Sequence, residues 1–266
     1  MNLAYKRLRS GKNIESASAA KISSINKNKI SAIIKMQNAS LIKLSEQNAE
    51  ISDEIREYGY GILHSSYEMD EYFSAVSGKY ELDKTEIELS SFLKRFCDVA
   101  KPYVVKKGIG VLHNIKDESI AVEVDTAKLL YHLSSIVQNA IENSPKGTRI
   151  RISLSSTKRF AKITIGDKGY GMSEETKLHC CEPFFTKCRI KAQKQGLGLT
   201  LAHHFVTESG GRFSIDSEKG KGTKVSFLLP LSERKEAAVS AKIKEDEIFS
   251  KNEHIIKIAF AEILSE

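Results

Sequence analysis

Three short stretches of this 266-residue sequence hold residue types that could do chemistry. The first is Asp167-Lys168-Gly169-Tyr170-Gly171, directly after the alternating apolar run Ala161 to Ile165. A chain leaving a strand must turn there, and glycines permit a tight backbone that a ligand can approach. A carboxylate at a strand end can accept a hydrogen bond from an exocyclic amine such as that of adenine. The second is Gly196-Leu197-Gly198-Leu199 at the start of a helical pattern, where free backbone N–H groups and the helix dipole favour phosphate. Just before it, Lys187 to Lys194 is basic and weakly apolar, the composition of a lid whose cations meet phosphates. The third is Asn139, on the polar side of a helix burying Leu133, Ile136 and Ala140, where an amide oxygen suits Mg2+. Each stretch also has a plain structural explanation: a turn, a solvated connector, a helix-surface amide.

Periodicity supplies the elements that must position these groups. Asp125 can cap a helix with Leu129, Leu133, Ile136 and Ala140 on its buried face, stopped by Ser144-Pro145-Lys146-Gly147. Alternating strands are expected over 148–154 and 161–165, a helix over 197–209 ended by Gly210-Gly211, and strands over 212–217 and 223–229. Val105, Ile109, Val111 and Ile115 suggest further strands from about residue 104, after a helix near 90–100. Helices and an antiparallel-rich sheet in this order imply a two-layer α+β sandwich.

Between Ala17 and Val76 there is no proline, and apolar residues recur at helical spacing with a break near Gln37-Asn38-Ala39-Ser40. The pattern describes a helical hairpin, ended by Ser77-Gly78-Lys79. Two helices are too thin to bury their apolar stripes alone, and dimerisation into a four-helix bundle would cover them. Residues 235–266 form a charged, then amphipathic tail.

Taken in order, the motifs resemble the ATPase domain shared by histidine kinases, type II topoisomerase ATPase subunits, Hsp90 chaperones and MutL. Asn139-Ala140-Ile141-Glu142-Asn143-Ser144-Pro145 looks like its N box, and Asp167-x-Gly169-x-Gly171 like its adenine-binding glycine box. Glu182-Pro183-Phe184-Phe185-Thr186-Lys187 is similar to the phenylalanine box of sensor kinases specifically. Gly196-Leu197-Gly198-Leu199 resembles the second glycine box, and Gly220-Lys221-Gly222-Thr223 the closing strand. The resemblance implies ATP and Mg2+ as ligands: Asn139 would hold the metal, Asp167, Gly169, Gly171 and Thr223 would form the adenine end, and Lys187 with the backbone of Gly196, Leu197 and Gly198 would meet phosphates. It implies a hairpin over 1–78, a connection over 79–103, an ATP-binding domain over 104–231 and a tail over 232–266. The protein would be a homodimer with a response regulator as partner.

A sensor kinase of this outline carries a phosphoacceptor histidine on the first hairpin helix. Here the first helix has none, and the best-matching stretch, Ile22 to Ile33, places Ser24 at that position. A serine hydroxyl needs a base, whereas neutral imidazole is itself a nucleophile near neutral pH. His64 is the one histidine on the hairpin; a packed or surface histidine is the plainer identity for it. Two rivals to a phosphotransferase therefore stand: a degenerate relative acting as a regulatory scaffold, and a serine/threonine-directed kinase of anti-sigma type, which usually lacks a hairpin.

Composition narrows the rest. The net charge is +7, and residues 1–50 hold nine Lys/Arg against three Glu. No aromatic residues interleave those lysines, so a solvated helix face is expected rather than a nucleic-acid contact. No apolar run approaches a membrane span, and no signal-peptide core follows the basic start, so a cytoplasmic protein is expected. Of four cysteines, Cys180, Cys181 and Cys188 cluster beside His179 without CxxC spacing, so free thiols are expected over a metal site.

Overall fold

The computed structural model describes residues 52–116, 119–185, 195–232 and 241–260. The first hairpin helix, its break and Ser24 lie outside the described residues. Helix α1, Ser52–Val76, falls where the second helix of the expected hairpin was placed. It ends as expected at Gly78, whose φ of +71° lets Lys79 N–H donate back to the Ser74 carbonyl.

Strand β1 (Lys84–Glu88) leads into helix α2 (Leu89–Lys106), followed by β2 (Gly110–Asn114) and β3 (Ala121–Asp125). Helix α3 is Thr126–Glu142, then come β4 (Arg149–Ser156), β5 (Phe160–Gly166) and the short α4 (Glu174–His179). Helix α5 (Gly198–Glu208), β6 (Arg212–Glu218) and β7 (Gly222–Pro230) follow, then α6 (Ala241–Lys251) and α7 (Glu253–Ala259).

The main sheet runs β2-β4-β5-β7-β6, with β2 parallel to β4 and the other neighbours antiparallel. One sheet face is apolar, carrying Ile150, Ile152, Ile163, Ile165, Phe227 and Leu229, and it shares a core with Phe92 and Phe96 of α2, Leu133 and Val137 of α3, and Phe205 of α5. The other face is polar, with Thr164 and Ser226 hydroxyls 3.1 Å apart. This period-two alternation is what lets one layer of helices suffice. The two-layer α/β sandwich expected from the sequence is the fold observed.

One expectation near residue 104 needs correction. Val105 lies in α2, with its side chain 53% exposed, not in a strand. The helix continues through Pro102 because Ala100 and Val104 are fully buried on its inner face, while Pro102 sits on the exposed side. There, solvent can serve the carbonyl that the missing N–H leaves without a helical partner. The connection expected over 79–103 holds strand β1 and most of α2. Strand β1 pairs antiparallel with β3, and Glu88 caps α2 by accepting from the N–H groups of Ser90 and Ser91.

The tail packs on the same body. Phe249 lies against Phe92 with ring centroids 5.1 Å apart, and Phe260 stacks on Tyr103 at 4.6 Å. Ile255 and Ala259 cover Tyr131 of α3. Helix α3 is thus buried on the sheet side and on the side facing α1, α5 and α7.

Candidate functional site

Helix α3 holds the centre of the site. Asp125 caps it, its Oδ1 accepting from Lys128 N–H at 3.0 Å. At the far end the Asn139 carbonyl accepts from Asn143 N–H at 3.2 Å and from Asn143 Nδ2 at 2.8 Å. Asn143 in turn reaches the Asp167 loop, its carbonyl accepting from Tyr170 N–H at 2.9 Å. Asn139 and the Asp167 loop are therefore tied together through one residue.

Within that loop Asp167 Oδ1 accepts from Gly169 N–H at 2.8 Å and from Thr223 N–H at 3.1 Å. Burial pushes the Asp167 carboxyl up from its ordinary range, and the Gly169 and Thr223 N–H groups oppose that only in part. A carboxylate starved of solvent and bonded on one oxygen is well prepared to accept from a ligand amine on the other. A side chain at Gly169 would put its Cβ 1.9 Å from the Asn143 carbonyl oxygen, and one at Gly171 would come within 2.0 Å of the Glu218 carbonyl oxygen. Gly171 also has a φ of +62°, which disfavours any other residue. The glycines are required by packing of the loop between α3 and the β6–β7 turn.

The second glycine box forms the other end. Gly196 has a φ of +70°, and its carbonyl accepts from Phe184 N–H at 3.1 Å. Helix α5 starts at Gly198 with no side-chain cap from Leu197. Leu197 is fully buried in an apolar cluster with Met69, Tyr72 and Leu201, so only its backbone is available to a ligand.

Between these pieces lies a cavity of about 130 Å³ bordered by Asn139 and Ser135 of α3, Gly196, Gly198, and His64 and Glu68 of α1. Cys180 and Phe185 close its side. Asn139, Gly196 and Gly198 are thus brought together as the sequence suggested, with Asp167, Gly169, Gly171 and Thr223 grouped separately around the loop. Lys187 and the segment 186–194 lie outside the described residues. Sequence reasoning missed Glu68, Gln195 and Glu71. Glu68 is only 4% exposed, and Gln195 Nε2 donates to the Ser65 carbonyl of α1 at 3.3 Å. Glu142, in the N box, is held by Gln138, whose Nε2 donates to Glu142 Oε1 at 3.1 Å. A spacing signal existed for one of the three: Glu68 is four residues beyond His64, one helical turn along the same face.

Mg2+ fits this donor set, since Asn139 offers a hard amide oxygen beside a helix start suited to phosphate. Cys180 and Cys181 are free thiols; Cys180 Sγ donates to the Lys177 carbonyl at 3.2 Å, and the adjacent thiols push the Cys180 pKa down and the Cys181 pKa up. Among the described residues no group of three metal-ligating side chains occurs.

Residues 124–233 match the model of a family described as histidine kinase-, DNA gyrase B- and HSP90-like ATPase. Residues 124–233 are a histidine-kinase-type ATPase domain. Among curated relatives, the sensor histidine kinase WalK of Bacillus subtilis is 27% identical over 165 residues, covering 60% of this chain and 27% of WalK. Sporulation kinase C of Bacillus subtilis is 30% identical over 145 residues, covering 54% of this chain and 33% of that kinase. The chain thus spans between a quarter and a third of the length of these relatives. The histidine kinase AdeS of Acinetobacter baumannii shares the fold at a TM-score of 0.60 and 14% identity, over 76% of this chain and 96% of AdeS. Histidine kinase ThkA, solved in complex with the response regulator protein TrrA, does so at 0.61 and 19% identity, over 87% and 68% of the two chains. Among the described residues, no helix is long and apolar enough to cross a membrane.

Proposed function

We propose that the ATPase domain binds Mg-ATP and donates its γ-phosphoryl group within a two-component signalling system. The observation that carries this is the meeting of Asn139, Gly196 and Gly198 around one cavity, tied through Asn143 to the Asp167 loop. In this arrangement Asp167 accepts from the adenine amine through the oxygen that the loop does not use. The backbone of Gly196 to Gly198, at the positive end of α5, seats the phosphates, and the family resemblance assigns Lys187 to them as well. Asn139 would hold Mg2+ through its amide oxygen, and the metal would supply charge neutralisation at the phosphates. The protein's share of such a transfer is positioning and electrostatics.

The acceptor is the open half of the reaction. Residues 1–63 contain no histidine, and His64 borders the phosphate end of the cavity. A neutral imidazole nitrogen there would attack Pγ as the bond to the bridging oxygen breaks, with ADP leaving. The hairpin supports a homodimer, and the ThkA complex supports a response regulator as downstream partner. A cytoplasmic site of action accords with such a role.

Incubation of the purified chain with γ-phosphate-labelled ATP and Mg2+ tests this. Acid-labile, base-stable label that disappears in His64→Gln is the expected result. One observation favours a second reading, a nucleotide-binding scaffold without transfer: the first hairpin helix lacks histidine altogether. Nucleotide binding without any protein-bound label would establish that scaffold.

A further inference from the structure

The described helices pack on one face of the five-stranded sheet. On the other face the strand register sets side chains in rows. Asn114, Ser153, Thr164, Ser226 and Ser214 stand side by side across β2, β4, β5, β7 and β6. They make a floor of short polar groups, with Ser226 only 6% exposed near its centre. Two residues along the strands on one side of this floor come Arg151 and Lys224, and on the other side Lys162 and Arg212. Arg149 lies two residues beyond Arg151, and all five cations are exposed. Given the spacings of a sheet, the four flanking cations cover an area roughly 13 Å by 15 Å.

Little on this face neutralises them. Asp216, opposite Lys224 in register, is the carboxylate that shares the face, and Glu218 at the end of β6 is paired with Lys221 at 2.7 Å. Among the described residues, none of the five cations forms an ion pair. Arg212 lies instead over the Phe160 ring, 5.8 Å from its centre.

The chemistry of the face selects its partner. A tightly bound protein needs an aromatic or apolar centre to exclude water, and here the centre is hydroxyls. A single nucleic-acid strand needs aromatic platforms for its bases, whereas this face has one ring, with Arg212 over it. A layer of anionic lipid headgroups needs only cations spread over an area, and hydroxyls can donate to its phosphate oxygens. We propose that the open face of the sheet docks on anionic lipid bilayers through Arg151, Lys162, Arg212 and Lys224. The cavity bordered by Asn139, Gly196 and Gly198 lies in the helix layer, so a bilayer on the opposite face leaves it accessible.

The test is co-sedimentation of the full chain with vesicles of phosphatidylcholine alone or with about a third phosphatidylserine. The wild type should bind the phosphatidylserine vesicles selectively, and added salt should release it. Replacing Arg151, Lys162, Arg212 and Lys224 together by Gln should weaken that binding about tenfold or more, as loss of four surface-facing charges requires. Replacing exposed Lys79, Lys84, Lys101 and Lys251 by Gln removes the same charge elsewhere and should weaken it far less. Exchanging Arg for Lys and Lys for Arg at the four face positions keeps the charge and should keep the binding.

A wild type that ignores phosphatidylserine would overturn the proposal. Equal losses in the two Gln variants would also overturn it, leaving only net charge at work, as would loss of binding in the charge-keeping variant. Face-dependent binding of polyglutamate or of a single-stranded oligonucleotide, without vesicle binding, would reassign the surface to an acidic protein or a nucleic acid.

Discussion

Glu71 of α1 and Lys128 of α3, 57 positions apart in the chain, meet at 2.7 Å in a pocket where the Glu71 side chain is 4% exposed. The Lys128 ammonium also lies 4.5 Å from the centre of the Tyr80 ring, and His132, fully buried, flanks the carboxylate. A buried ion pair contributes little net stability compared with an apolar replacement, but breaking it from one side leaves a charge without its partner. Its effect here is to fix where α1 sits on the ATPase domain.

Glu71→Gln should weaken the docking of α1 by about 3 kcal/mol, since the Lys128 ammonium is left without its counter-charge. Amide exchange along Ser52–Val76 would rise by the corresponding factor while the β4–β5–β7 strands keep their protection. Equal loss of protection in α1 and in the sheet would show that the cluster stabilises the whole body instead.

The same cluster carries a pH signature. Burial pushes the Glu71 carboxyl up, but His132 and Lys128 outweigh it and hold it at about 2. A carboxyl held below its unfolded value contributes stability that is complete above the ordinary glutamate range and is lost as pH falls through the folded value. Docking of α1 should therefore be independent of Glu71 titration at neutral pH and weaken progressively below about pH 4.5 towards 2. Glu71→Gln should remove that acid-dependent component, which denaturation at a series of pH values would show.

Asp167→Asn keeps an oxygen for the Gly169 and Thr223 N–H groups but presents an amide where a ligand amine needs an acceptor. ATP affinity should fall about 10- to 100-fold, the value of a hydrogen bond to a charged group, with little change in stability. Because burial raises the Asp167 pKa, wild-type ATP binding should also weaken on acidification at a less acid pH than an ordinary aspartate would cause. Titration of both proteins at several pH values checks the two effects together.

Gly169→Ala should destabilise the domain by about 1–3 kcal/mol, because its Cβ cannot share space with the Asn143 carbonyl and the loop must shift. The shift would also misplace Asp167, so stability and ATP affinity should fall together. A variant with normal stability and normal affinity would contradict the packing described for this loop.

Among the three described cysteines, a thiol reagent at mildly alkaline pH should label Cys180 before Cys97. Cys180 borders the cavity and the neighbouring Cys181 thiol lowers its pKa, while burial pushes Cys97 to about 12. Mg-ATP should slow the labelling of Cys180, read by peptide mass mapping.

The ATPase domain was legible because its signals are local. Asp125 caps α3, the strands β4 and β5 alternate cleanly, and each glycine box stands at the turn its backbone requires. What escaped depends on distant partners. Glu71 belongs to no motif, and only Lys128 and His132, some 60 residues later, make its position an interior one. The helix expected near 90–100 runs on to Lys106, because the burial of Val104 carries α2 past Pro102. The pairing of β1 with β3 was also hidden, because Glu86 and Glu123, opposite each other in register, give a charged pair no apolar signature.

The central claim is that Asn139 and the two glycine boxes form a Mg-ATP site. Titration of ATP into the full chain with Mg2+ or with a chelator, comparing wild type and Asn139→Ala, tests it most directly. The account predicts saturable binding at one site in the wild type, weakened by chelation, and an Asn139→Ala variant whose remaining affinity no longer responds to Mg2+. Binding that is identical in the two proteins, or a wild type that does not bind ATP, would contradict it.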